Sequence, residues 1–435
     1  MGSPLTIGII FLVVMLILLF LGVSVGTSMA VAAILGIAFI LTPTAALAKV
    51  GSTPYETMNS YSFAVIPLFV LMANIIATTG VGKALYEFFN SFVGHIRGGL
   101  AMATILACAI FSAISSTPIG TVITIGLIAL PEMKRKGYSD SLATGAIASG
   151  GSLGPLIPPS AVLIIYAIVT QTSMTRLFIA GVIPGIILAL LMCLAIYVYC
   201  LIVPTAGPRS QRHTFKEAAQ ALSRCFEIIL LIALVLLGLF FGWFTPTEAG
   251  AIGSVGAIVV TLVRRKLTME RFLAAVKDTL ENTGMVYLVL IGAFLLNYLA
   301  ALAGISSAIS NFVSSLDMGY KMVTIIIFCI YIFLGCFLDA LAMILLTMPI
   351  FFPVITDLGG DPIWFGIIVV LAMNVGNITP PVGMSVFVVA GLDRSIRMET
   401  IFKGVFPFVI ANLILVVVLV LFPEIVMWLP SLIKG

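Results

Sequence analysis

Long apolar runs separated by short polar turns dominate this chain of 435 residues. A helix needs about 20 apolar residues to cross a bilayer, so each such run predicts a membrane span. The runs lie at 5–25, 27–47, 61–80, 177–203, 225–243, 247–263, 283–303 and 404–430. Three polar stretches separate some of them: a short arm at 49–60, a basic central linker at 205–224, and an amphipathic surface segment at 264–278. The pattern predicts an all-α polytopic membrane protein.

Two further apolar stretches are broken in the middle. Residues 149–160 read Ser-Gly-Gly-Ser-Leu-Gly-Pro-Leu-Ile-Pro-Pro-Ser, and a helix cannot continue through these prolines and glycines. Residues 374–383, Asn-Val-Gly-Asn-Ile-Thr-Pro-Pro-Val-Gly, repeat the feature. Inside a bilayer, irregular backbone persists only where protein or a water-filled cavity surrounds it. We therefore expect two broken spans, at 140–170 and 362–391, of the kind that carriers use to bind ions.

Two helical hairpins are predicted immediately before the broken spans. Residues 97–136 are apolar on both sides of Ser-Ser-Thr-Pro-Ile-Gly at 115–120, and neither arm reaches the length of a full crossing. Residues 320–356 have a similar shape, with a polar tip at Leu338-Asp339-Ala340-Leu341. A hairpin that enters and leaves on one side of the membrane fits both stretches.

The two halves of the chain are related by an internal duplication. Five landmarks of the first half return 222 positions later without a gap: Phe111 and Phe333, Pro131 and Pro353, Gly154 and Gly376, Pro158 and Pro380, Pro159 and Pro381. With one re-entrant hairpin in each half, each half crosses the membrane an odd number of times. The duplication is therefore predicted to be inverted.

Composition and charge support this topology. The chain is 61% hydrophobic and 9% charged, with a mean hydropathy of +1.26, far from the usage of soluble domains. Its basic residues border membrane segments, so the net charge of +4 does not indicate nucleic-acid binding. With the central linker inside, 17 of the 21 Lys and Arg residues are cytoplasmic, all except Lys49, Arg176, Lys321 and Lys434. The positive-inside rule then places both termini outside.

Candidate chemistry lies where each hairpin tip meets the broken helix of its own half. Hydroxyl and carbonyl oxygens in the first half, and Asp339, Asn374, Asn377 and Thr379 in the second, are ligands suited to a hard, weakly bound cation such as Na⁺. A carboxylate at membrane depth costs roughly 2.5–3.5 kcal/mol, which favours a functional role for Asp339 as a Na⁺ ligand or a proton carrier. The alternative is a structural brace hydrogen-bonded to the broken backbone. For Ser115, Ser116 and Thr117 the alternative is ordinary back-bonding within a helix.

The motifs together resemble a known transporter family. Ser152-Leu153-Gly154-Pro155-Leu156-Ile157-Pro158-Pro159-Ser160, Phe244-Thr245-Pro246-Thr247-Glu248-Ala249 and the stretch 374–381 resemble the large membrane subunit of tripartite ATP-independent periplasmic (TRAP) transporters. The resemblance covers essentially the whole chain. It implies an inverted-repeat, elevator-type ion transporter fold in the bacterial inner membrane. It also implies import of a carboxylate-bearing solute, usually driven by Na⁺, with a small four-helix membrane subunit and a periplasmic substrate-binding protein as partners.

The resemblance also implies a division of labour along the chain. Residues 97–170 and 320–391 would form the moving transport elements, whereas 1–80, 177–303 and 404–430 would form the scaffold. Two or more Na⁺ sites are expected, with these ligands: Ser115, Ser116, Thr117, Ser149, Gly151 and Gly154 in the first half, and Asp339, Asn374, Gly376, Asn377 and Thr379 in the second. Substrate would contact Ser116, Ser152, Pro155, Asn377 and Pro380.

Three other functions compete with this interpretation. A stand-alone ion-coupled anion carrier or antiporter of the same architecture would share nearly every sequence feature. An intramembrane enzyme would need a nucleophile with its base, paired aspartates or metal-binding histidines at membrane depth, and the sequence offers no such set. A channel is less favoured, since hairpins with broken helices suit alternating access better than an open pore.

Overall fold

The computed structural model describes residues 3–115, 117–210, 214–316 and 318–432. All regular secondary structure in these ranges is helical, as predicted. The first half contains α1 (Pro4–Phe20), α2 (Val25–Ile40), α3 (Pro43–Met58), a 3-10 turn (Tyr61–Ala64), α4 (Val65–Ala77), α5 (Val81–Val93), α6 (Gly99–Ser115), α7 (Pro118–Arg135), α8 (Asp140–Gly151), α9 (Ala161–Thr170) and α10 (Met174–Ile202). The second half contains α11 (Phe215–Ser223), α12 (Phe226–Phe240), α13 (Pro246–Val263), α14 (Met269–Ala303), α15 (Ile305–Ser315), α16 (Tyr320–Gly335), α17 (Ala340–Asp357), α18 (Pro362–Gly376), α19 (Met384–Leu392), α20 (Met398–Leu421) and α21 (Glu424–Ser431).

The spacing of 222 positions relates whole helices. Moving α7 along the chain by this distance gives 340–357, which are the bounds of α17. The same shift takes α1 to α12, α2 to α13, α8 to α18 and α9 to α19, within a few residues. The packing repeats as well, because α2 lies against α14 while its counterpart α13 lies against α4. The internal duplication is therefore confirmed along nearly the full length of the chain.

The two repeats differ at one place. In the first repeat, α3 and the helix that follows the 3-10 turn meet at an angle of 56°. In the second, the equivalent segments form α14, a single helix of 35 residues. The prediction of a separate surface segment at 264–278 is therefore wrong, because the helix that begins at Met269 continues without interruption to Ala303. α14 contains no proline and no pair of adjacent glycines, whereas Asn59 and Ser60 lie at the first-repeat bend.

Other boundaries also differ from the prediction. The polar arm at 49–60 is part of α3, which starts earlier because Thr42 caps it and Pro43 occupies its first position. The sequence pattern missed α5 and α15, two short amphipathic helices that occupy equivalent positions in the repeats. The closing span at 404–430 starts earlier, at Met398, and ends at Leu421 before a short final helix.

Five described helices are long and apolar enough to cross a membrane by themselves: α10, α13, α14, α17 and α20. Counting each bent pair as one span raises the number to seven. The remaining apolar helices, among them α6, α9, α16 and α18, are shorter than a full crossing. Of these, α6 and α16 are arms of the hairpins, and α9 and α18 are halves of the broken spans, so they hold the candidate site.

Candidate functional site

The first hairpin turns between α6 and α7, at the predicted tip. Thr117 caps α7, and its Oγ1 accepts a hydrogen bond from the Gly120 backbone N–H at 3.3 Å. The Ser115 hydroxyl donates to the Thr117 carbonyl oxygen, also at 3.3 Å. Ser116, predicted to contact both ion and substrate, lies outside the described residues. The remaining tip hydroxyls thus shape the start of α7 and stay close to the surface of the tip.

The tip of this hairpin packs directly against the first broken helix. α8 ends at Gly151, and a Cβ on that residue would lie 3.1 Å from the Pro118 carbonyl oxygen and would overlap Val122. A Cβ on Gly154 would lie 3.6 Å from Ser112 Oγ and 3.7 Å from the Pro118 nitrogen. The glycines of the break therefore let the hairpin tip approach the backbone closely.

Hydroxyl groups stabilise part of this break and leave others unpaired. Ser152 Oγ donates to the Ser149 carbonyl at 2.7 Å, and Ser160 Oγ donates to the Pro155 carbonyl at 2.7 Å. The hydroxyls of Ser149 and Ser112, in contrast, are buried and have no hydrogen-bond partner among the described residues. A buried hydroxyl with no partner is costly, roughly 1–3 kcal/mol, so these oxygens are available for a ligand.

The second hairpin tip has the same design. Asp339 caps α17, and its Oδ1 accepts from the Ala342 backbone N–H at 2.7 Å. Asp339 lies 222 positions after Thr117, and Ala342 lies 222 positions after Gly120, so the same capping bond is made at equivalent positions of the two repeats. The side chain of Asp339 is only partly buried. Its carboxylate therefore serves as a helix cap, one of the two roles weighed from the sequence, and it retains oxygen lone pairs for a cation.

Glycines also let the second hairpin approach the second broken helix closely. A Cβ on Gly376 would lie 2.7 Å from the Cα of Gly335, so α16 and α18 touch backbone to backbone. Beside this contact, Asn374 is fully buried, and both polar atoms of its side chain lack a hydrogen-bond partner. Asn377 Oδ1 is likewise buried and unpaired. Thr379 Oγ1 donates to the Gly376 carbonyl at 3.3 Å.

Contacts within the described residues bring part of each predicted set together. Gly151 and Gly154 meet the first tip, and Gly376 meets Gly335 of the second hairpin. Asp339, in contrast, lines a crevice with Gly22–Val25, the turn between α1 and α2. Both proline pairs, Pro158–Pro159 and Pro380–Pro381, are joined by cis peptide bonds. The two repeats contact each other at several places, including α2 on α14 and α17 on α9.

Sequence reasoning missed two residues of the site. Ser112 lies one helical turn before Ser115, so helical spacing from the tip hydroxyls could have found it. Cys336 precedes the second tip, and its Sγ donates to the Pro380 carbonyl at 3.2 Å and lies 3.5 Å from Thr379 Oγ1. No sequence signal separates Cys336 from the other cysteines in apolar runs.

Among the described residues, buried oxygen atoms without a hydrogen-bond partner lie in both repeats, on Ser112 and Ser149 in the first and on Asn374 and Asn377 in the second. Hairpins packed against broken helices in two related halves are typical of membrane transporters. The fold is similar to that in the crystal structure of the Alcanivorax borkumensis YdaH transporter, with a TM-score of 0.67 over 90% of each chain and 12% identity. At this identity the similarity concerns the fold alone.

Residues 12–425 match the family described as the DctM component of the tripartite ATP-independent periplasmic transporter, and the chain belongs to this family. It is 34% identical over 378 residues to the C4-dicarboxylate TRAP transporter large permease protein DctM of Pseudomonas aeruginosa, covering 87% of this chain and 88% of that protein. It is 30% identical over 424 residues to the sialic acid TRAP transporter large permease protein SiaM of Vibrio cholerae, covering 96% and 97%. The chain is thus a multi-pass membrane permease and not an enzyme.

Proposed function

We propose that this chain is the membrane permease of a Na⁺-coupled importer for a small carboxylate-bearing solute delivered by a periplasmic substrate-binding protein. The observation that carries the proposal is the set of buried, unpaired polar atoms at the two breaks, on Ser112, Ser149, Asn374 and Asn377. Ser149 lies on α8 and Asn374 on α18, which the repeat makes equivalent, whereas Ser112 lies on the neighbouring hairpin arm α6. Broken helices of this kind hold the coupling-ion sites of inverted-repeat carriers.

Na⁺ would be held by oxygen atoms of the tips and breaks. In the first half the candidates are the hydroxyls of Ser112, Ser115, Thr117 and Ser149, with carbonyls of the Gly151–Gly154 segment. In the second half they are Asp339, Asn374, Asn377 and Thr379, with carbonyls near Gly376. Filling these positions would supply the partners that the buried oxygens lack and hold each hairpin tip against its broken helix.

The substrate class follows from relatives and from local charge. The two relatives compared above carry C4-dicarboxylates and sialic acid, which are both carboxylates. α7 and α17 begin at the hairpin tips, and α9 and α19 begin just after the breaks. The positive ends of these helix dipoles, with Na⁺, would offset the carboxylate charge. Ser152, Pro155, Asn377 and Pro380 remain the proposed substrate contacts.

Transport would proceed by sliding of the hairpins and broken helices against the scaffold. A crevice of about 340 Å³ separates the second tip, at Leu338 and Asp339, from the turn between α1 and α2 at Gly22–Val25. The moving elements and the scaffold would slide past each other along this crevice. The sequence predicts a scaffold role for 177–203 and 404–430, but we propose instead that α10 and α20 move with the transport elements. Gly404 of α20 packs against the backbone of α8 so closely that a Cβ would overlap Ser141. α10 packs against α6 and α18.

The proposed partners and orientation complete this assignment. Exposed apolar side chains on α1, α2 and α13 offer surfaces for lipid and for a small four-helix membrane subunit. The distribution of Lys and Arg supports a periplasmic location for both termini.

The proposal is tested by uptake into proteoliposomes that hold the permease with its small membrane subunit. An inward Na⁺ gradient and substrate-loaded binding protein are applied together and then separately. Uptake that requires both supports the proposal. Uptake of free substrate without the binding protein would identify a stand-alone carrier, and uptake unaffected by removal of Na⁺ would exclude Na⁺ coupling. Ser149→Ala, which removes an unpaired hydroxyl, should raise the Na⁺ concentration needed for half-maximal uptake, whereas Ser173→Ala, at the cap of α10, should not.

A further inference from the structure

A polar cavity lies where the start of α5 meets the end of α11 and the turn after α13. Its volume is about 470 Å³. Four basic side chains line it: Lys83, Arg224, Arg264 and Lys266. In the proposed topology all four are cytoplasmic, so the cavity lies at the inner surface of the membrane.

The charges in this cavity do not balance. Glu87 is the acidic residue of its lining, 3.1 Å from Arg224 Nη1 and 3.9 Å from Lys83 Nζ. Glu227, just outside the lining, pairs with Arg264. Four positive and two negative charges leave an excess of two positive charges in a small volume.

Two of the basic residues are fixed in place by backbone carbonyls. Arg264 Nη1 donates to the Arg224 carbonyl at 2.6 Å, and Lys266 donates to the Thr79 carbonyl. Lys83 is different, because its side chain is 71% exposed and its contact with Glu87 is long. No side chain caps the N-terminus of α5, which begins after Gly80 in the wall of the cavity. A movable ammonium group and an open helix N-terminus both favour an anion.

Exposed apolar side chains beside the cavity favour an anion that belongs to a lipid. Phe226, the first residue of α12, is 51% exposed, and Val263, the last residue of α13, is 78% exposed. Leu230 and Leu262 extend this apolar surface beside the cavity. A phosphate in the cavity would leave two acyl chains lying along these side chains. Basic pockets between membrane helices on the cytoplasmic side are typical binding sites for anionic head groups.

We propose that this cavity is a binding site for the phosphate head group of an anionic glycerophospholipid. The ligand would bridge α5 of the first repeat and α12–α13 of the second. It would thereby join a segment of each repeat at the cytoplasmic surface.

The test is lipid binding to the purified, delipidated complex of this permease with its small membrane subunit, followed by native mass spectrometry. Phosphatidylglycerol should bind at least tenfold more tightly than phosphatidylcholine. Lys83→Gln should weaken phosphatidylglycerol binding about fivefold, since one basic residue near the surface contributes roughly 1 kcal/mol. Lys83→Arg should bind normally.

Lys277→Gln is the matched control. Lys277 forms the same kind of exposed pair with Glu281, four residues on at 3.8 Å, but does not line the cavity. Equal losses in the two glutamine variants, or equal binding of the two lipids, would overturn the proposal. So would displacement of the lipid by 10 mM inorganic phosphate, which would indicate a site for a soluble anion. If the permease by itself binds phosphatidylglycerol but its complex with the small subunit does not, the cavity is a protein interface and the proposal is wrong.

Discussion

Replacing Asp339 separates its capping role from its proposed ion-binding role. Asp339 Oδ1 accepts the Ala342 N–H at 2.7 Å, so Asp339→Ala removes a helix cap worth about 0.5–2 kcal/mol. Asp339→Asn keeps an oxygen at the same position and is an equally good cap, so the stability of this variant should stay near that of the wild type. Only the charge differs between Asp and Asn. The pair of variants therefore isolates the contribution of the charge.

The expected effect on ion binding is large. Two unit charges 4 Å apart interact by about 4 kcal/mol at an effective dielectric constant near 20. If roughly a third of this interaction energy contributes to Na⁺ binding, Asp339→Asn should lower the apparent Na⁺ affinity about tenfold. The assay is initial uptake rate against Na⁺ concentration in proteoliposomes, with thermal unfolding of the same preparations measured in parallel.

The two measurements have separate consequences. Normal Na⁺ dependence in Asp339→Asn would show that Asp339 is only a cap, and the second proposed ion site would then lose its carboxylate. Thermal destabilisation of Asp339→Asn equal to that of Asp339→Ala would refute the capping argument. Thr117→Ser is the matched control, because it preserves the equivalent cap in the first repeat.

Three other predictions test two close glycine contacts and one ion pair. Gly376→Ala should separate α16 from α18, since its Cβ would lie 2.7 Å from backbone, and should reduce Na⁺-driven uptake several-fold while the protein still folds. Gly404→Ala should destabilise the protein by about 1–3 kcal/mol in thermal unfolding, because the new methyl group overlaps the backbone of α8, whereas Gly284→Ala, with open space around it, should not destabilise. The hydrogen bond from Lys134 lowers the pKa of Asp393, so this pair stabilises the fold above the carboxyl's unfolded pKa, near 3.9, and the stabilisation is lost as the pH falls further. The melting temperature of Asp393→Asn should therefore depend less on pH below about pH 5 than that of the wild type, and equal slopes would contradict this role.

The repeat and its broken helices could be predicted from sequence because proline and glycine act locally. Pro158 and Pro159 interrupt a helix in any environment, and the same pair recurs at a fixed distance. The turn at Thr117 is similarly local, since a capping residue followed by Pro118 starts a helix by its own chemistry.

The features that were mispredicted have weaker sequence signals. α14 is continuous because neither a proline nor a pair of glycines interrupts it, although the polar residues at 264–278 indicated a separate surface segment. Ser112 and Cys336 join the site because α6 and α16 pack against the breaks. Helical spacing from Ser115 points to Ser112, whereas Cys336 can be named only once its contact with Pro380 is known.

The equivalence of α7 and α17 has a consequence for biogenesis. α7 ends in Lys134-Arg135-Lys136, whereas the matching positions of the second copy are Thr356-Asp357-Leu358. Basic residues are retained on the cytoplasmic side during insertion, so a cluster that anchors one copy would misdirect the other. If the two copies are inserted in opposite directions, as the charge distribution predicts, divergence at these three positions removes this conflict. Moving the basic cluster from the first copy to the second should therefore prevent correct insertion of the protein into the membrane, before any solute is transported.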